Sequence, residues 1–255
     1  MSMNESNGGL IKNQELDVKG LVRTYDVYIP AELGDQKRPM VLLLHGHMGD
    51  ADVMTGKNGK KAPYKIWLKI AEREKWIVVI PDGEKGSDDH RGWNDCRADA
   101  QTNPSVDDVA FIDLLIATIS QRYPADNQRV FAHGTSNGGN MVYRLAQERG
   151  DRFRALAAVV AAIAASNKCA SPQHPISMLI MNGTDDPLLP YEGGGIGKRK
   201  SQQAVRGTVL STEQTVQPRI RSWTRWSVRF SECRARRKDA EWSFHSKELQ
   251  RRHAL

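Results

Sequence analysis

Apolar residues in this chain fall into short runs separated by longer amphipathic stretches. Val22-Arg23-Thr24-Tyr25-Asp26-Val27-Tyr28-Ile29 alternates apolar and polar and ends at Pro30. That is the pattern of a half-buried strand, expected to be antiparallel and near a sheet edge. Met40–Leu44, Ile77–Ile80, Val130–Ala132, Leu156–Ala161 and Met178–Met181 are instead continuously apolar, as expected of strands covered on both faces. Between them, Tyr64–Lys75 places Ile66, Trp67, Ile70 and Ala71 at helical spacing. Val106–Tyr123 does the same with Val109, Ile112, Leu115, Ile116 and Ile119. Asp107 and Asp108 stand in its first turn, where the helix dipole favours acid. Met141–Arg149 is a third helical stretch. Strands alternating with helices predict an α/β fold, a mostly parallel central sheet with helices on both faces. In such sheets functional groups gather at the C-terminal ends of the strands.

One such end carries Gly134-Thr135-Ser136-Asn137-Gly138, a G-x-S-x-G turn between the run Arg129–His133 and the helical stretch from Gly139. A strand, a tight serine turn and a helix is the context in which this pattern marks a nucleophile. A serine hydroxyl needs a base, usually a histidine oriented by a carboxylate, and donors aimed at the developing oxyanion. His45-Gly46-His47-Met48-Gly49 follows a buried strand directly and can turn backbone amides towards the serine. The oxyanion donors are therefore expected to be the amides of Asn137 and of Gly46 or His47, with His47 preferred and His45 itself structural. Met178–Met181 runs into Asn182-Gly183-Thr184-Asp185-Asp186-Pro187, which makes Asp186 the candidate acid and Asp185 a loop brace. After Asp186 only His245 and His253 remain as histidines. Neither sits in a Gly-rich turn, and His245 is the better substitute base. His133 is expected to pack beneath the serine.

Composition narrows the picture further. With 255 residues and 39% hydrophobic content the chain can bury a sizeable core. No apolar run reaches the ~20 residues that span a bilayer, so no membrane partner is expected. The N-terminus shows no leader pattern, which points to a cytoplasmic protein or a mature exported form. The net charge of +7 is not spread evenly. Residues 218–255 hold 11 Lys+Arg and 4 Asp+Glu, so the remainder carries 26 of each. A neutral body argues against nucleic-acid binding. Cys96, Cys169 and Cys233 are too few for a disulfide framework or a zinc site. Free thiols are favoured, with a Cys96–Cys169 bridge as the alternative. No cofactor or metal is implied. Asp82, Asp88, Asp89, His90 and Asp95 read as a solvated rim of the site, and Trp93 as either pocket wall or core.

At this point the chain resembles the poly(3-hydroxybutyrate) depolymerase and feruloyl-esterase-like α/β-hydrolases, sometimes grouped with the LpqC-type lipoproteins. The resemblance rests on Arg23–Pro30, Leu44-His45-Gly46, Pro81-Asp82-Gly83, Gly92-Trp93-Asn94-Asp95, Val106–Ile112, Ser136–Met141, Asn182–Pro187 and Tyr191–Gly194. It implies an α/β-hydrolase fold, Ser136 as nucleophile, Asp186 as triad acid and the His45-Gly46-His47 loop as oxyanion hole. Asn182 stands where such families often carry histidine. The implied activity is hydrolysis of carboxylic esters, of short-chain, aryl or feruloyl, or polyhydroxyalkanoate type, through an acyl-enzyme. The substrate would be a small-molecule or polymeric ester. A peptidase on the same fold has less support.

The resemblance continues through Arg206–Val216, which looks like the helix after the acid loop, and then stops. No Gly-Gly-Gly-His-Thr-Trp-Pro-like turn follows. The expected organisation is a hydrolase domain over residues 1–217 and a basic, non-family tail over 218–255, without periodicity and open to disorder. An out-of-frame or replaced C-terminus accounts for that break. It predicts that another reading frame of the coding DNA encodes a Gly-rich His-Thr-Trp-like turn. On that hypothesis the sheet lacks its last strand, and the alternative function is a catalytically impaired hydrolase-like protein.

Overall fold

The computed structural model describes residues 8–56, 63–196 and 208–209. Its strands are β1 (Gly9–Val18), β2 (Leu21–Ile29), β3 (Arg38–Leu44), β4 (Ile77–Pro81), β5 (Glu84–Lys85), β6 (Arg91–Gly92), β7 (Ala125–Thr135), β8 (Ala155–Val159), β9 (Met178–Met181), β10 (Gly194–Gly195) and β11 (Thr208–Val209). Its helices are α1 (Ala51–Thr55), α2 (Ile66–Glu74), α3 (Asp108–Arg122) and α4 (Asn137–Glu148). Seven strands form one sheet in the order β1-β2-β4-β3-β7-β8-β9. β1 and β2 pair antiparallel, as do β2 and β4; the other pairings are parallel. β5–β6 and β10–β11 are separate two-stranded ribbons.

The continuously apolar strands divide their side chains between two core layers, because successive residues point to opposite faces. Met40, Leu42, Leu44, Val130 and Ala132 pack with the buried faces of α3 and α4. Val41, Leu43, Val78 and Ile80 pack with Ala51 and Met54 of α1, Ala71 of α2 and the half-buried Trp67 and Trp76. The expectation of a mostly parallel sheet with helices on both faces therefore holds, but the run Met178–Met181 is not covered on both faces: among the described residues it is the edge strand β9, and Leu179 and Met181 are exposed. Asp107 caps α3 by accepting from the Ala110 amide at 3.0 Å, and Asp108 begins the helix.

Besides the short α1, β5, β6 and β10, which no periodicity marks, three elements differ from expectation. β1 was not foreseen: its polar alternation is broken by a register shift between Ile11 and Gln14, with Asn13 at φ 51° donating its amide to Asp26. Lys19 and Gly20 then close the β1–β2 hairpin, both with positive φ, the left-handed geometry that two-residue hairpins favour. α4 begins at Asn137, two residues before the helical stretch read from Gly139. Thr208 and Val209 form strand β11 against Gly194–Gly195, so the helix read through Arg206–Val216 does not hold there. The rest of that stretch lies outside the described residues, as do Cys233, His245, His253 and the whole of residues 210–255.

Candidate active site

The serine turn lies where β7 gives way to α4. Ser136 sits between them at φ 55° and ψ −123°, a conformation that costs a non-glycine residue roughly 1–3 kcal/mol. The surrounding structure over-determines it. The Ser136 amide donates to the Val159 carbonyl at the end of β8, and its carbonyl accepts from the Asn140 amide, both at 2.9 Å. The flanking glycines are sterically required. A Cβ on Gly134 would lie 2.2 Å from the Gly138 carbonyl oxygen, and one on Gly138 would lie 2.3 Å from that of Leu44. The turn thus presses on the end of β3 while Ser136 remains exposed to solvent.

The loop after β3 faces this serine. A methyl placed on Gly46 would meet Ser136, 3.4 Å from its Cβ and 4.0 Å from its Oγ. His45 is fully buried and both ring nitrogens are engaged. Nδ1 donates to the Gly46 carbonyl at 2.7 Å, and Nε2 accepts from the Gly83 amide at 2.9 Å. That pairing fixes one neutral tautomer, and burial pulls the imidazole below its ordinary range. His45 therefore shapes the turn, as expected. His47 pairs through Nε2 with the Asp88 carboxylate at 2.9 Å.

Asn137 occupies the first turn of α4 and is buried. Its Oδ1 accepts from the Trp93 amide at 2.6 Å; its Nδ2 donates to the Trp93 carbonyl at 3.1 Å and to Asp95 Oδ2 at 2.7 Å. The expected solvated rim is corrected here. Asp95 is 0% exposed and forms an ion pair with Arg97. Asp82 is half-buried, accepting from Thr24 Oγ1 and the Ala51 amide. Asp88, Asp89 and His90 do edge the site, and Lys85 beside Asp89 lowers that carboxyl's proton affinity. Trp93 is core at 0% exposed, with Nε1 donating to the His45 carbonyl at 2.8 Å.

The thiol expectation is also corrected. Cys96 and Cys169 are joined by a disulfide. It ties the Trp93–Arg97 segment to residues 166–169, where Lys168 donates its amide to Cys96 and Ala98 donates to Ser166. Glu148 lies near the two sulfurs, but sulfurs committed to each other are not thiolate ligands.

Asp186 lies in the loop after β9, two strands across from the serine turn. Its Oδ1 accepts from the amides of Leu188 and Leu189, both at 2.8 Å, while Asp185 is exposed. Asn182 bridges the exits of β9 and β8 by bonding both backbone groups of Ala161. His133 packs beneath the turn as expected, its Nδ1 accepting from Trp67 Nε1 at 3.0 Å, and burial lowers its pKa. Among the described residues no histidine is hydrogen-bonded to Ser136.

The network of Asp95 and Arg97 around Asn137 was missed in the sequence. The available signal was an acid and a base flanking a cysteine just after Gly92-Trp93. Among the described residues no helix is long and apolar enough to cross a membrane.

Comparison with known proteins bears on the fold and on relatedness. A profile of the prolyl oligopeptidase family matches residues 67–187. The chain is 30% identical over 177 residues to a probable feruloyl esterase C of Aspergillus niger. It is 29% identical over 172 residues to feruloyl esterase C of Emericella nidulans. Each match covers 68% of this chain and 58% of the relative, so the chain spans under two thirds of their length. Among solved structures, a thermostable esterase superposes with a TM-score of 0.52 at 19% identity, covering 71% of this chain and 48% of that one. The fluorophosphonate-binding serine hydrolase F of Staphylococcus aureus superposes at 0.51 and 17%, covering 71% and 81%. The chain accordingly has the α/β-hydrolase fold and is homologous, over about two thirds of its own length, to feruloyl esterases.

Proposed function

We propose that the chain is a serine carboxylesterase. The observation that carries this is the exposed Ser136, strained at φ 55°, held against the Gly46 turn at the start of α4. Ser136 Oγ attacks the ester carbonyl as its proton passes to a base, and the alcohol leaves with that proton. Water then attacks the acyl-enzyme, releasing the acid and restoring the hydroxyl. The amides of Asn137 and His47 receive the oxyanion, aided by the positive end of the α4 dipole. Asp186 is the acid and His245 the base assigned to the triad. The named relatives favour aryl esters of the feruloyl kind among the short-chain, aryl and polyhydroxyalkanoate classes.

The test is hydrolysis of p-nitrophenyl butyrate and methyl ferulate by the 255-residue chain beside Ser136→Ala. Turnover lost in the variant supports the esterase; equal background rates overturn it. A second reading, an impaired hydrolase that keeps the site but lacks an effective base, is favoured by one observation. Each histidine nearest the turn is already committed: His45 to Gly46 and Gly83, His47 to Asp88, and His133 to Trp67. That reading predicts neither turnover nor Ser136 labelling by a fluorophosphonate, because phosphonylation also needs a base to take the serine proton.

A further inference from the structure

We propose that Asp95 is a positioning residue for the oxyanion hole, acting through the side chain of Asn137. The inference rests on the esterase reading above and concerns how the amide after Ser136 is held in place.

A backbone donor helps the reaction only if it is aimed in advance at the position the oxyanion will occupy. The Asn137 amide stands at the junction of a strained residue and a helix start, where the backbone is least self-supporting. No hydrogen bond within α4 fixes the first amides of a helix. What fixes Asn137 is its own carboxamide, gripped on three sides by a loop more than forty residues earlier. Trp93 holds both ends of that carboxamide through its backbone amide and carbonyl, and Asp95 Oδ2 takes the remaining Nδ2 proton.

Asp95 is the hub of that grip. Its Oδ1 accepts from the amide and Nε of Arg97, both at 3.0 Å, and its Oδ2 accepts from Arg97 Nη2 at 2.5 Å. A buried carboxylate with a bidentate arginine partner is fixed in orientation, and its hydrogen bonds are stronger than neutral ones. The same segment also reaches the other half of the site. Trp93 Nε1 bonds the carbonyl of His45, directly before the Gly46 turn, and Arg91 accepts the amide of Met48 directly after His47. Residues 91–97 therefore index both candidate oxyanion donors against one another. Asp95 is the only charge in that segment that touches the residue following the nucleophile.

Two variants test this, each read by the rate of Ser136 phosphonylation with a fluorophosphonate and by p-nitrophenyl butyrate kinetics. Asp95→Asn sets an NH2 group against donors either way round, Asn137 Nδ2 with Arg97 Nη2 or the Arg97 amide with Nε, so the grip on Asn137 is lost directly or through displacement of Arg97. Asn137→Ala removes the grip from the other side and leaves the Asp95–Arg97 pair intact. Misplacing a catalytic group by about 1 Å costs ~10²-fold, so each variant should lower kcat and the phosphonylation rate by about 10²-fold with KM little changed. The double variant should be no slower than Asn137→Ala alone, since the effect passes through one contact. Multiplicative losses in the double variant, or a wild-type rate in Asn137→Ala, would overturn the proposal. If Asp95→Asn fails to fold, Asn137→Ala alone decides. Wild-type chain that neither turns over nor labels refutes the esterase reading itself, and the positioning role falls with it. Wild-type chain that labels at the same rate as the variants refutes only the positioning role.

Discussion

Reducing the Cys96–Cys169 disulfide should destabilise the fold by an amount that can be worked out in advance. The bridge spans 73 residues of sequence. Cross-linking a loop of that length removes conformational entropy from the unfolded chain worth about 4 kcal/mol at 25 °C. A domain of this size loses roughly 2–4 °C of Tm per kcal/mol, so reduction should lower Tm by about 10 °C. The assay is thermal unfolding followed by circular dichroism, with and without dithiothreitol, beside the Cys96→Ser/Cys169→Ser double variant. That variant should melt near the reduced protein and ignore the reductant. Peptide mapping without reduction should show the two cysteines joined. A drop of less than about 3 °C in both preparations would refute the reasoning. It would mean either that the bridge does not form or that the unfolded chain keeps enough structure to lose little entropy when cross-linked. Native docking of residues 91–97 on 166–169 is a separate matter: if the hydrogen bonds between Cys96 and Lys168 and between Ala98 and Ser166 hold that contact after reduction, Ser136 labelling should stay unchanged whatever the Tm does.

Other expectations follow from buried groups and close contacts. His45 and His133 are held neutral by burial, so the unfolded chain binds more protons below the ordinary imidazole pKa of about 6.5. Stability should be level above that pH and fall as pH drops from it towards the folded-state values. In urea titrations, His133→Gln should remove part of the slope while keeping an acceptor for Trp67. Arg23 and Asp108 form a buried pair at 2.8 Å, and Asn94 donates its amide to the same carboxylate. Asp108→Ala should cost about 1–3 kcal/mol by denaturant unfolding, because the Asn94 amide and Arg23 both lose a buried acceptor while Arg23 keeps Glu84 at 3.1 Å, whereas Arg23→Met/Asp108→Leu should recover part of that loss. Gly138→Ala places a methyl 2.3 Å from the Leu44 carbonyl and 2.4 Å from that of His45. It should cost at least ~1–3 kcal/mol and abolish Ser136 labelling; a variant of unchanged Tm and labelling would show that β3 and α4 can separate freely.

The parts of this fold that could be read in the sequence are those where one physical requirement dominates. β3, β4, β7 and β8 lie inside the sheet, where burial leaves an apolar run; β9 is apolar too, although it is the edge strand and exposes Leu179 and Met181. β1 escaped because its face alternates with solvent and its register shifts at Asn13, which erases the period. The two-residue ribbons have no period to detect. In the site, the serine turn was legible because Gly134 and Gly138 leave no space for any other residue, and backbone crowding of that kind writes itself into composition. Asp95 and Arg97 were not legible. Charged residues are usually solvated, and their burial here depends on Asn137, forty residues away in sequence. The disulfide was legible only as the less favoured alternative: the sequence allows a Cys96–Cys169 pair, and the fold is what brings the two cysteines together.

The acid loop offers a way to separate a working triad from an impaired one. Asp186 is oriented before any histidine reaches it, because the Leu188 and Leu189 amides both bond its Oδ1. Its other oxygen is the one left to receive an imidazole N–H, and a carboxylate in that role holds the base in the correct tautomer. Asp186→Asn keeps the Oδ1 acceptor and so should preserve the loop and the melting temperature. It replaces the second oxygen with a donor, which would turn an imidazole the wrong way round. If a histidine completes the triad, kcat for p-nitrophenyl butyrate should fall by about 10⁴-fold with Tm unchanged. If no base is engaged, the variant and the parent should have the same low rate, because nothing depends on that oxygen. Pairing the same substitution with His245→Ala then identifies the base. Where both residues act as one unit, removing the second after the first changes little. Where they act independently the losses multiply, and His245 is not the partner of Asp186.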